Sequence, residues 1–196
     1  MNGGAMKCIG LRREDKSAWE KRVAVTPEDV RKLIEAGIQV VVQPSPVRAY
    51  SEEEFLEAGA VIEEDLDACP VVLGIKEMKP DTFRPGGTYV FFSHTIKGQA
   101  YNMSMLRRLM ELKCNLIDYE KVTDDAGRRL IFFGNFAGMA GMIETLVALG
   151  RRLSYEGVPT PLTLLSRANA YHDLAEAKDA VRAMGDRIRT DGFPPA

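Results

Sequence analysis

The fold of this chain is decided by two short apolar runs that end on polar residues: Val71-Val72-Leu73-Gly74-Ile75-Lys76-Glu77 and Thr88-Tyr89-Val90-Phe91-Phe92-Ser93-His94. Runs of four to eight apolar, β-branched or aromatic residues are typical of buried strands. Similar runs lie before and after them in the chain. Together they predict five strands, at residues 7–11, 39–42, 71–75, 88–92 and 114–117.

Amphipathic helices with recognisable ends separate the first strands. Thr26 is a favourable N-cap for a helix that we expect to stop at Gly37, and Ser51 with Glu54 has the spacing of a capping box before a stop at Gly59. Strands that alternate with helices indicate an α/β domain. We therefore predict a three-layer α/β fold with a mainly parallel sheet and Rossmann-like topology, lacking the dinucleotide fingerprint.

The second half of the chain is predicted to be mostly helical. Apolar residues at helical spacing indicate helices at 101–113, 136–153 and 173–184, and a short strand is expected at 129–133. The glycines Gly134, Gly138 and Gly141 do not have the G-x-G-x-x-G spacing, so they favour close helix packing over a nucleotide loop. We divide the chain into an α/β domain at residues 1–135 and connecting helices at 136–196.

Composition excludes several classes of protein. The net charge is −2 with 45% hydrophobic residues, so we expect no general attraction to nucleic acid or to an anionic membrane. Cys8, Cys69 and Cys114 are widely spaced and odd in number, and we expect reduced, packed thiols. Because no signal peptide or membrane span is recognisable, a cytoplasmic location is expected. Two histidines without an HExxH pattern predict no metal site, and His172 favours a surface or capping role.

Ionisable residues follow four of the predicted strands, where a parallel sheet collects its functional groups. Lys76 follows the third strand and His94 the fourth. Two cations on neighbouring strand ends disfavour each other's protonation, which would let them exchange protons near neutral pH. The residues alone leave open that Lys76 is a solvated lysine and His94 a packed histidine. They also leave open whether Arg22, Arg128 and Arg129 form surface salt bridges or bind carboxylates.

Several blocks of sequence resemble the alanine dehydrogenase and saccharopine dehydrogenase superfamily, and lysine-2-oxoglutarate reductase in particular, including the reductase half of aminoadipate semialdehyde synthase. The resemblance covers most of the chain in the right order. It is carried by Gly10-Leu11-Arg12-Arg13-Glu14-Asp15-Lys16, Trp19-Glu20-Lys21-Arg22-Val23-Ala24-Val25-Thr26-Pro27, Leu73-Gly74-Ile75-Lys76-Glu77, Phe91-Phe92-Ser93-His94-Thr95-Ile96-Lys97-Gly98-Gln99, Ile117-Asp118-Tyr119-Glu120 and Gly127-Arg128-Arg129-Leu130.

The resemblance implies roles for individual residues. Lys76 and His94 match the lysine and histidine that act as acid-base groups in this family. Arg22 matches a carboxylate-binding arginine, and Glu120 matches a carboxylate of the substrate site. Arg129 is the expected binder of the 2-oxo acid, although the alignment leaves Arg128 open.

The reaction that the resemblance implies joins lysine to 2-oxoglutarate with reduction by NAD(P)H, giving saccharopine, or runs in reverse. Family members bind NAD(P) mainly through a further Rossmann domain, and this sequence shows no such fingerprint, so we expect little activity from the chain alone. Two alternatives stay open: a non-catalytic module that binds amino or oxo acids, and an alanine dehydrogenase or transhydrogenase type of domain. A homo-oligomer also stays open.

Overall fold

A computed structural model describes residues 7–192, which form two compact units that divide between Phe132 and Phe133. The first unit is an α/β sandwich and the second is helical. The domain boundary predicted after residue 135 is three residues further along the chain than the division after Phe132. None of the helices among the described residues is long and apolar enough to cross a membrane.

The first unit is built on one six-stranded sheet in which every strand pair is parallel. The strands are β1 Cys8–Leu11, β2 Gln39–Val42, β3 Val61–Ile62, β4 Val71–Leu73, β5 Thr88–Phe91 and β6 Asn115–Asp118. Their order across the sheet is β3-β2-β1-β4-β5-β6, so β2 and β3 lie on one side of β1, and β4, β5 and β6 lie on the other. The five predicted strands and the parallel α/β class are confirmed; β3, with two residues, is too short to give a sequence signal.

Helices cover both faces of this sheet, as the three-layer prediction requires. On one face, helices α1 (Pro27–Glu35) and α2 (Glu52–Glu57) pack Val30 and Phe55 against Leu11, Val40 and Val42. On the other face, helix α3 (Ala100–Glu111) packs against β4 and β5, and the buried side chains there are Val72, Tyr89, Phe91, Met105 and Leu109. Complete burial of a side chain such as phenylalanine contributes about 1.5–3 kcal/mol, so these contacts stabilise the packing of the helices on the sheet.

The predicted helix ends are present in the structure. The Thr26 hydroxyl accepts a hydrogen bond from the Asp29 amide at 3.3 Å. In the capping box before α2, the Glu54 amide donates to the Ser51 hydroxyl at 3.2 Å and the Ser51 amide donates to the Glu54 carboxylate at 2.7 Å. Each reciprocal bond satisfies a backbone donor that the first helical turn leaves without a partner.

The second unit is formed by two helices and the turns between them. Helix α4 spans Gly134–Tyr155 and helix α5 spans Leu174–Asp191, so both predicted helices exist and both are longer than expected. A 3-10 turn at Pro161–Leu164 lies between them in the chain. The buried core of this unit consists of Ile143, Val147, Leu162, Leu165, Ala177 and Met184.

The strand predicted at 129–133 is wrong. Only one isolated antiparallel bridge forms there, between Thr123 and Arg129. The Asp124 carboxylate accepts hydrogen bonds from the Ala126 amide at 3.0 Å and the Arg128 amide at 2.8 Å, which closes a tight turn. Because this turn satisfies its own backbone groups, the segment does not join the sheet before α4 begins.

The expectation of three reduced cysteines is also wrong. Cys8 and Cys69 are joined by a disulfide with their Cα atoms 4.9 Å apart, while Cys114 is a free thiol. The pair is separated by 61 positions in the sequence. Parallel pairing of β1 with β4 places Ile9 beside Val71, and this register brings Cys8, the first residue of β1, close to Cys69, which lies two positions before β4.

Candidate active site

The candidate site lies along the carboxyl edge of the sheet, after β1, β4, β5 and β6. The register pairs Leu11 with Leu73 and Phe91 with Asp118, so these four strands end side by side. The residues that follow them therefore share one edge of the molecule. Lys76, His94 and Glu120 all lie in these strand-end segments, as predicted.

Four ionisable side chains form one group after β5 and β6, which we call the His94 cluster: His94, Lys97, Glu120 and Arg129. Nδ1 of His94 lies 3.2 Å from a Glu120 carboxylate oxygen and 3.1 Å from Nζ of Lys97. The second Glu120 oxygen lies 3.3 Å from Lys97 Nζ and 3.6 Å from Nη1 of Arg129. Glu120 therefore contacts all three of the other side chains in the cluster.

The electrostatics of Glu120 follow from this arrangement. Burial of the carboxylate disfavours its charged form, but hydrogen bonds from His94 and Lys97 outweigh that effect and hold the pKa of Glu120 below its ordinary value. Glu120 is therefore a carboxylate at neutral pH. Glu120 and Lys97 both contact Nδ1 of His94 and together fix the orientation of the imidazole. Because a carboxylate only accepts and an ammonium only donates, the two contacts favour opposite tautomers of the ring.

Aromatic rings form the wall behind His94. The Phe92 ring lies 6.2 Å from the imidazole and nearly parallel to it, and the Tyr119 ring meets Phe92 edge-on at 5.0 Å. Burial and the nearby negative charge of Glu14 raise the pKa of Tyr119 to about 12. Tyr119 is therefore a neutral phenol at physiological pH.

Lys76 lies on a segment that is held by a buried carboxylate. One oxygen of Glu14 accepts from the Ile75 amide at 2.7 Å, and the other accepts from the Lys76 amide at 2.9 Å. The side chain of Glu14 is only 3% exposed, and burial raises its pKa although the two amides and the Arg12 guanidinium oppose that shift. Glu14 therefore anchors the backbone of Lys76 to the end of β1.

Arg22 is oriented by a bidentate ion pair with Glu20. Nε and Nη2 of Arg22 donate to the two Glu20 oxygens at 2.7 Å and 2.6 Å. Burial disfavours the Glu20 carboxylate, but these hydrogen bonds dominate, and with a smaller contribution from the charge of Lys76 they place the pKa of Glu20 below its ordinary value. The charge of Lys76 thus acts on the same carboxylate that orients Arg22.

The structure separates the two candidate arginines. The Arg128 side chain is 81% exposed and its Nε donates to Asp124 at 2.8 Å, within the tight turn. Arg129 instead extends to Glu120 and belongs to the His94 cluster. Among the predicted site residues, His94, Glu120 and Arg129 are therefore in one group, whereas Lys76 and Arg22 lie with Glu14 and Glu20.

Sequence reasoning gave no role to several residues that build this edge, namely Glu14, Glu20, Lys97 and Tyr119. All four lie within the sequence blocks quoted above, and Glu20, Lys97 and Tyr119 are within three positions of a residue that was given a role. For these three, the available signal was an ionisable or hydroxyl group close to a candidate residue, and Glu14 had no such signal. Their contacts depend on which strands are neighbours, and that information is absent from local sequence.

The charged groups lie on an open edge. A concavity of about 490 Å³ lies beside Arg12, Leu66 and Tyr89 and is not lined by Lys76 or His94. A smaller one of about 260 Å³ is lined by Lys16, Glu77 and Tyr101, beside the segment that carries Lys76. Small-molecule sites often form where two domains meet, so an open edge is compatible with a substrate site.

The described residues do not fit a dinucleotide loop. The connection from β1 to α1 contains no glycine, and Gly134, Gly138 and Gly141 all lie inside α4 and not in a strand-to-helix turn. A pyrophosphate group needs such a turn for close approach of backbone amides. Within residues 7–192, no group of three or more His, Cys, Asp or Glu side chains is placed to hold a metal ion.

Comparison with known proteins supports one family. Residues 10–140 match the family described as alanine dehydrogenase/PNT, N-terminal domain. The chain is 40% identical to the mitochondrial alpha-aminoadipic semialdehyde synthase of Rattus norvegicus over 95% of its length, and 36% identical to the corresponding synthase of Arabidopsis thaliana. It is also 36% identical, over 68% of its length, to the NAD(+)-dependent, L-lysine-forming saccharopine dehydrogenase of Yarrowia lipolytica. The chain spans about a fifth of the length of the synthases.

Solved structures show the same fold. An L-alanine dehydrogenase superposes with a TM-score of 0.62 at 23% identity, covering 78% of this chain and 42% of the other. A transhydrogenase from Sinorhizobium meliloti gives a TM-score of 0.51 at 17% identity, covering 71% of this chain and 41% of the other. With its parallel sheet and the match over residues 10–140, the chain belongs to the alanine dehydrogenase/PNT N-terminal domain family.

Proposed function

We propose that this domain is the substrate-binding half of an NAD(P)-dependent lysine-2-oxoglutarate reductase or saccharopine dehydrogenase. The observation that carries the proposal is the His94 cluster on the same sheet edge as Lys76. It combines a histidine that can exchange a proton with cations that can bind carboxylates. The relatives that match at 36–40% identity carry the names of enzymes of this type.

The proposed reaction needs these groups. Attack of an amine on the ketone of 2-oxoglutarate forms a carbinolamine, which loses water to give an imine before reduction. These steps require a proton acceptor for the amine and a proton donor for the departing hydroxyl, and Lys76 and His94 would exchange those protons. Hydride transfer is the chemistry of the nicotinamide, and the described residues offer no dinucleotide loop for it.

Arginines would hold the substrate carboxylates. Arg129 contacts Glu120 only at 3.6 Å, so its planar guanidinium keeps donors for a carboxylate ligand. Arg22, fixed by Glu20, would bind a second carboxylate at the Lys76 end of the edge. Glu120 would then orient His94 and balance the positive charge of the cluster while the dicarboxylate is absent.

Ligand binding to this chain tests the proposal. Isothermal titration calorimetry of the chain with 2-oxoglutarate is expected to show binding. Arg129→Ala should weaken this binding, and Arg128→Ala should leave it nearly unchanged. Pyruvate is expected to bind more weakly because it has one carboxylate. Tighter binding of pyruvate would favour an alanine dehydrogenase type of domain, and binding of neither acid would contradict the proposal.

The chain alone is expected to lack dehydrogenase activity, because hydride transfer requires a bound nicotinamide. The measurement is NADH and NADPH oxidation in the presence of lysine and 2-oxoglutarate. Robust oxidation by the 196-residue chain would be incompatible with this expectation. We also propose a cytoplasmic location. Cell fractionation tests it, and the test is needed because some relatives carry the word mitochondrial in their names.

A further inference from the structure

His94 has an unusual backbone conformation. Its φ angle is +53°, in the left-handed region that non-glycine residues seldom occupy. Such a conformation is unfavourable for a residue with a Cβ atom and persists only where surrounding contacts impose it. The contacts that hold this segment therefore decide where the imidazole lies relative to Glu120.

The residue before His94 is tied to the neighbouring strand. Ser93 is fully buried, and its hydroxyl donates to one carboxylate oxygen of Asp118 at the end of β6. That bond uses the only proton of the Ser93 hydroxyl. The Ser93 oxygen must therefore accept from two donors, the Thr95 hydroxyl at 2.9 Å and the Thr95 amide at 3.2 Å. The side-chain amide of Asn102 donates to the Ser93 carbonyl at 3.2 Å.

The other oxygen of Asp118 holds the turn that carries Glu120. It accepts from the Glu120 amide at 2.8 Å. One carboxylate therefore connects the Ser93-His94 segment with the Tyr119-Glu120 turn. The two side chains that these segments present, His94 and Glu120, meet at 3.2 Å.

We propose that Asp118 is a positioning residue, which sets the contact between His94 and Glu120 by holding the Ser93 hydroxyl and the Glu120 amide at once. The function of Asp118 lies in its geometry and not in its charge, since asparagine can replace both interactions. Its oxygen would accept from the Glu120 amide, and its amide would donate to the Ser93 hydroxyl, whose proton would turn to Thr95. The kinetic consequence of this inference rests on the proposed function, and the geometric part does not.

The geometric part is tested by NMR on the chain itself, which has two histidines. Asp118→Ala and Ser93→Ala are expected to shift the ring Cε1–Hε1 signal of His94 and to leave that of His172, which is 95% exposed, unchanged. Asp118→Asn is expected to restore the His94 signal to its original position. Ser93→Ala and Asp118→Asn keep the test decisive if Asp118→Ala does not fold.

Asp173→Ala is the matched control. Asp173 also accepts a backbone hydrogen bond, from Glu176 at 2.9 Å, and lies 3.6 Å from the ring of His172. Its removal is expected to shift the His172 signal and leave the His94 signal unchanged. A His94 signal that stays in place in Asp118→Ala and Ser93→Ala would overturn the inference, and so would an equal shift in Asp118→Asn and Asp118→Ala.

The kinetic part uses the longer dehydrogenase that we propose. Misplacement of an acid-base group by about 1 Å lowers turnover by up to about a hundredfold, so kcat should fall about 10–100-fold in Ser93→Ala and Asp118→Ala. The KM for 2-oxoglutarate should change less than kcat, because the backbone of Arg129 belongs to the Asp124 turn although its side chain contacts Glu120. Asp118→Asn should recover kcat. If His94→Gln itself has normal turnover, the proposed function fails, and the NMR signals still decide whether Asp118 positions His94.

Discussion

Lys76 and His94 follow neighbouring parallel strands, and each is held in place by a carboxylate, which is buried for Lys76 and partly buried for His94. Glu14 binds the backbone amide of Lys76, and Asp118 binds the segment that carries His94 through Ser93. A group that transfers protons must be fixed within hydrogen-bond reach of its substrate before its acidity matters. At the scale of single residues, the site is therefore built by anchoring backbone segments to adjacent strand ends.

Removal of either proton-transfer group should reduce turnover strongly in the longer dehydrogenase. Lys76→Met and His94→Gln are each expected to lower kcat by about 10²–10⁴-fold, the contribution of a general acid-base group. Steady-state kinetics with lysine, 2-oxoglutarate and NAD(P)H measure the effect. Lys79→Met, which removes an exposed lysine three positions from Lys76, is the control. Near-normal turnover in both site variants would refute the assignment.

Arg129 should act in binding and not in proton transfer. Arg129→Ala is expected to raise the KM for 2-oxoglutarate by about 10–100-fold, since a charge-assisted hydrogen-bond pair contributes about 1.5–3 kcal/mol, with a smaller effect on kcat. Arg128→Ala, which removes an exposed arginine of the same turn, should leave both constants nearly unchanged. A larger rise in KM for Arg128→Ala than for Arg129→Ala would show that Arg128, and not Arg129, binds 2-oxoglutarate.

Glu120 should make folding stability depend on pH. Its folded pKa lies below its ordinary value, so its ion pairs stabilise the fold fully above about pH 4.5 and lose this effect as the pH falls through the folded pKa. Glu120→Gln should therefore lower the unfolding free energy by about 1 kcal/mol at pH 7, and by less at pH 3. Urea denaturation at both pH values measures this, with the exposed Glu63→Gln as control. A difference that grows as the pH falls would contradict the sign.

At the scale of elements, one helix of the second unit depends on a glycine for close packing. A Cβ atom at Gly150 of α4 would lie 2.8 Å from the Leu162 Cβ and 3.0 Å from the Leu162 carbonyl carbon. Gly141, in the same helix, has no such neighbour within 4 Å among the described residues. The 3-10 turn at Pro161–Leu164 therefore packs closely against α4 at Gly150, whereas it does not approach Gly141.

These two glycines should respond to alanine in opposite directions. Gly150→Ala is expected to lower the unfolding free energy by about 1–3 kcal/mol through overpacking. Gly141→Ala is expected to raise it by about 0.5–1 kcal/mol, because alanine is the better helix former and meets open space. Denaturant unfolding of the chain provides both values. Equal changes in the two variants would show that helix propensity alone determines the effect of alanine on the unfolding free energy.

At the scale of the whole molecule, the disulfide Cys8–Cys69 closes the longest covalent loop in the described part of the chain. A cross-link across 61 residues contributes about 4 kcal/mol by restricting the unfolded chain. Alkylation in denaturant without reductant should label one cysteine, Cys114, and reduction beforehand should make all three reactive, with a lower denaturation midpoint. Three labels without reduction would show that the bond is absent in solution.

Much of the fold could be predicted because it is encoded locally. The apolar runs at 71–75 and 88–92 form strands where expected, and the capping box of Ser51 and Glu54 starts a helix. Interactions between residues three or four positions apart depend on nothing outside the segment. The strand expected at 129–133 was wrong because strand formation requires a partner, and the Asp124 turn satisfied the backbone first.

The α/β class and the helix ends follow from the sequence alone, and its resemblance to a known family singles out five candidates: Lys76, His94, Arg22, Glu120 and Arg129. The tertiary structure was needed to show that Glu120 contacts His94, Lys97 and Arg129, that Glu14 and Asp118 hold the two segments, and that Cys8 contacts Cys69. The physical reason is that these contacts link residues on different strands. Their distances are set by the order and register of the sheet, which no local segment of the chain specifies.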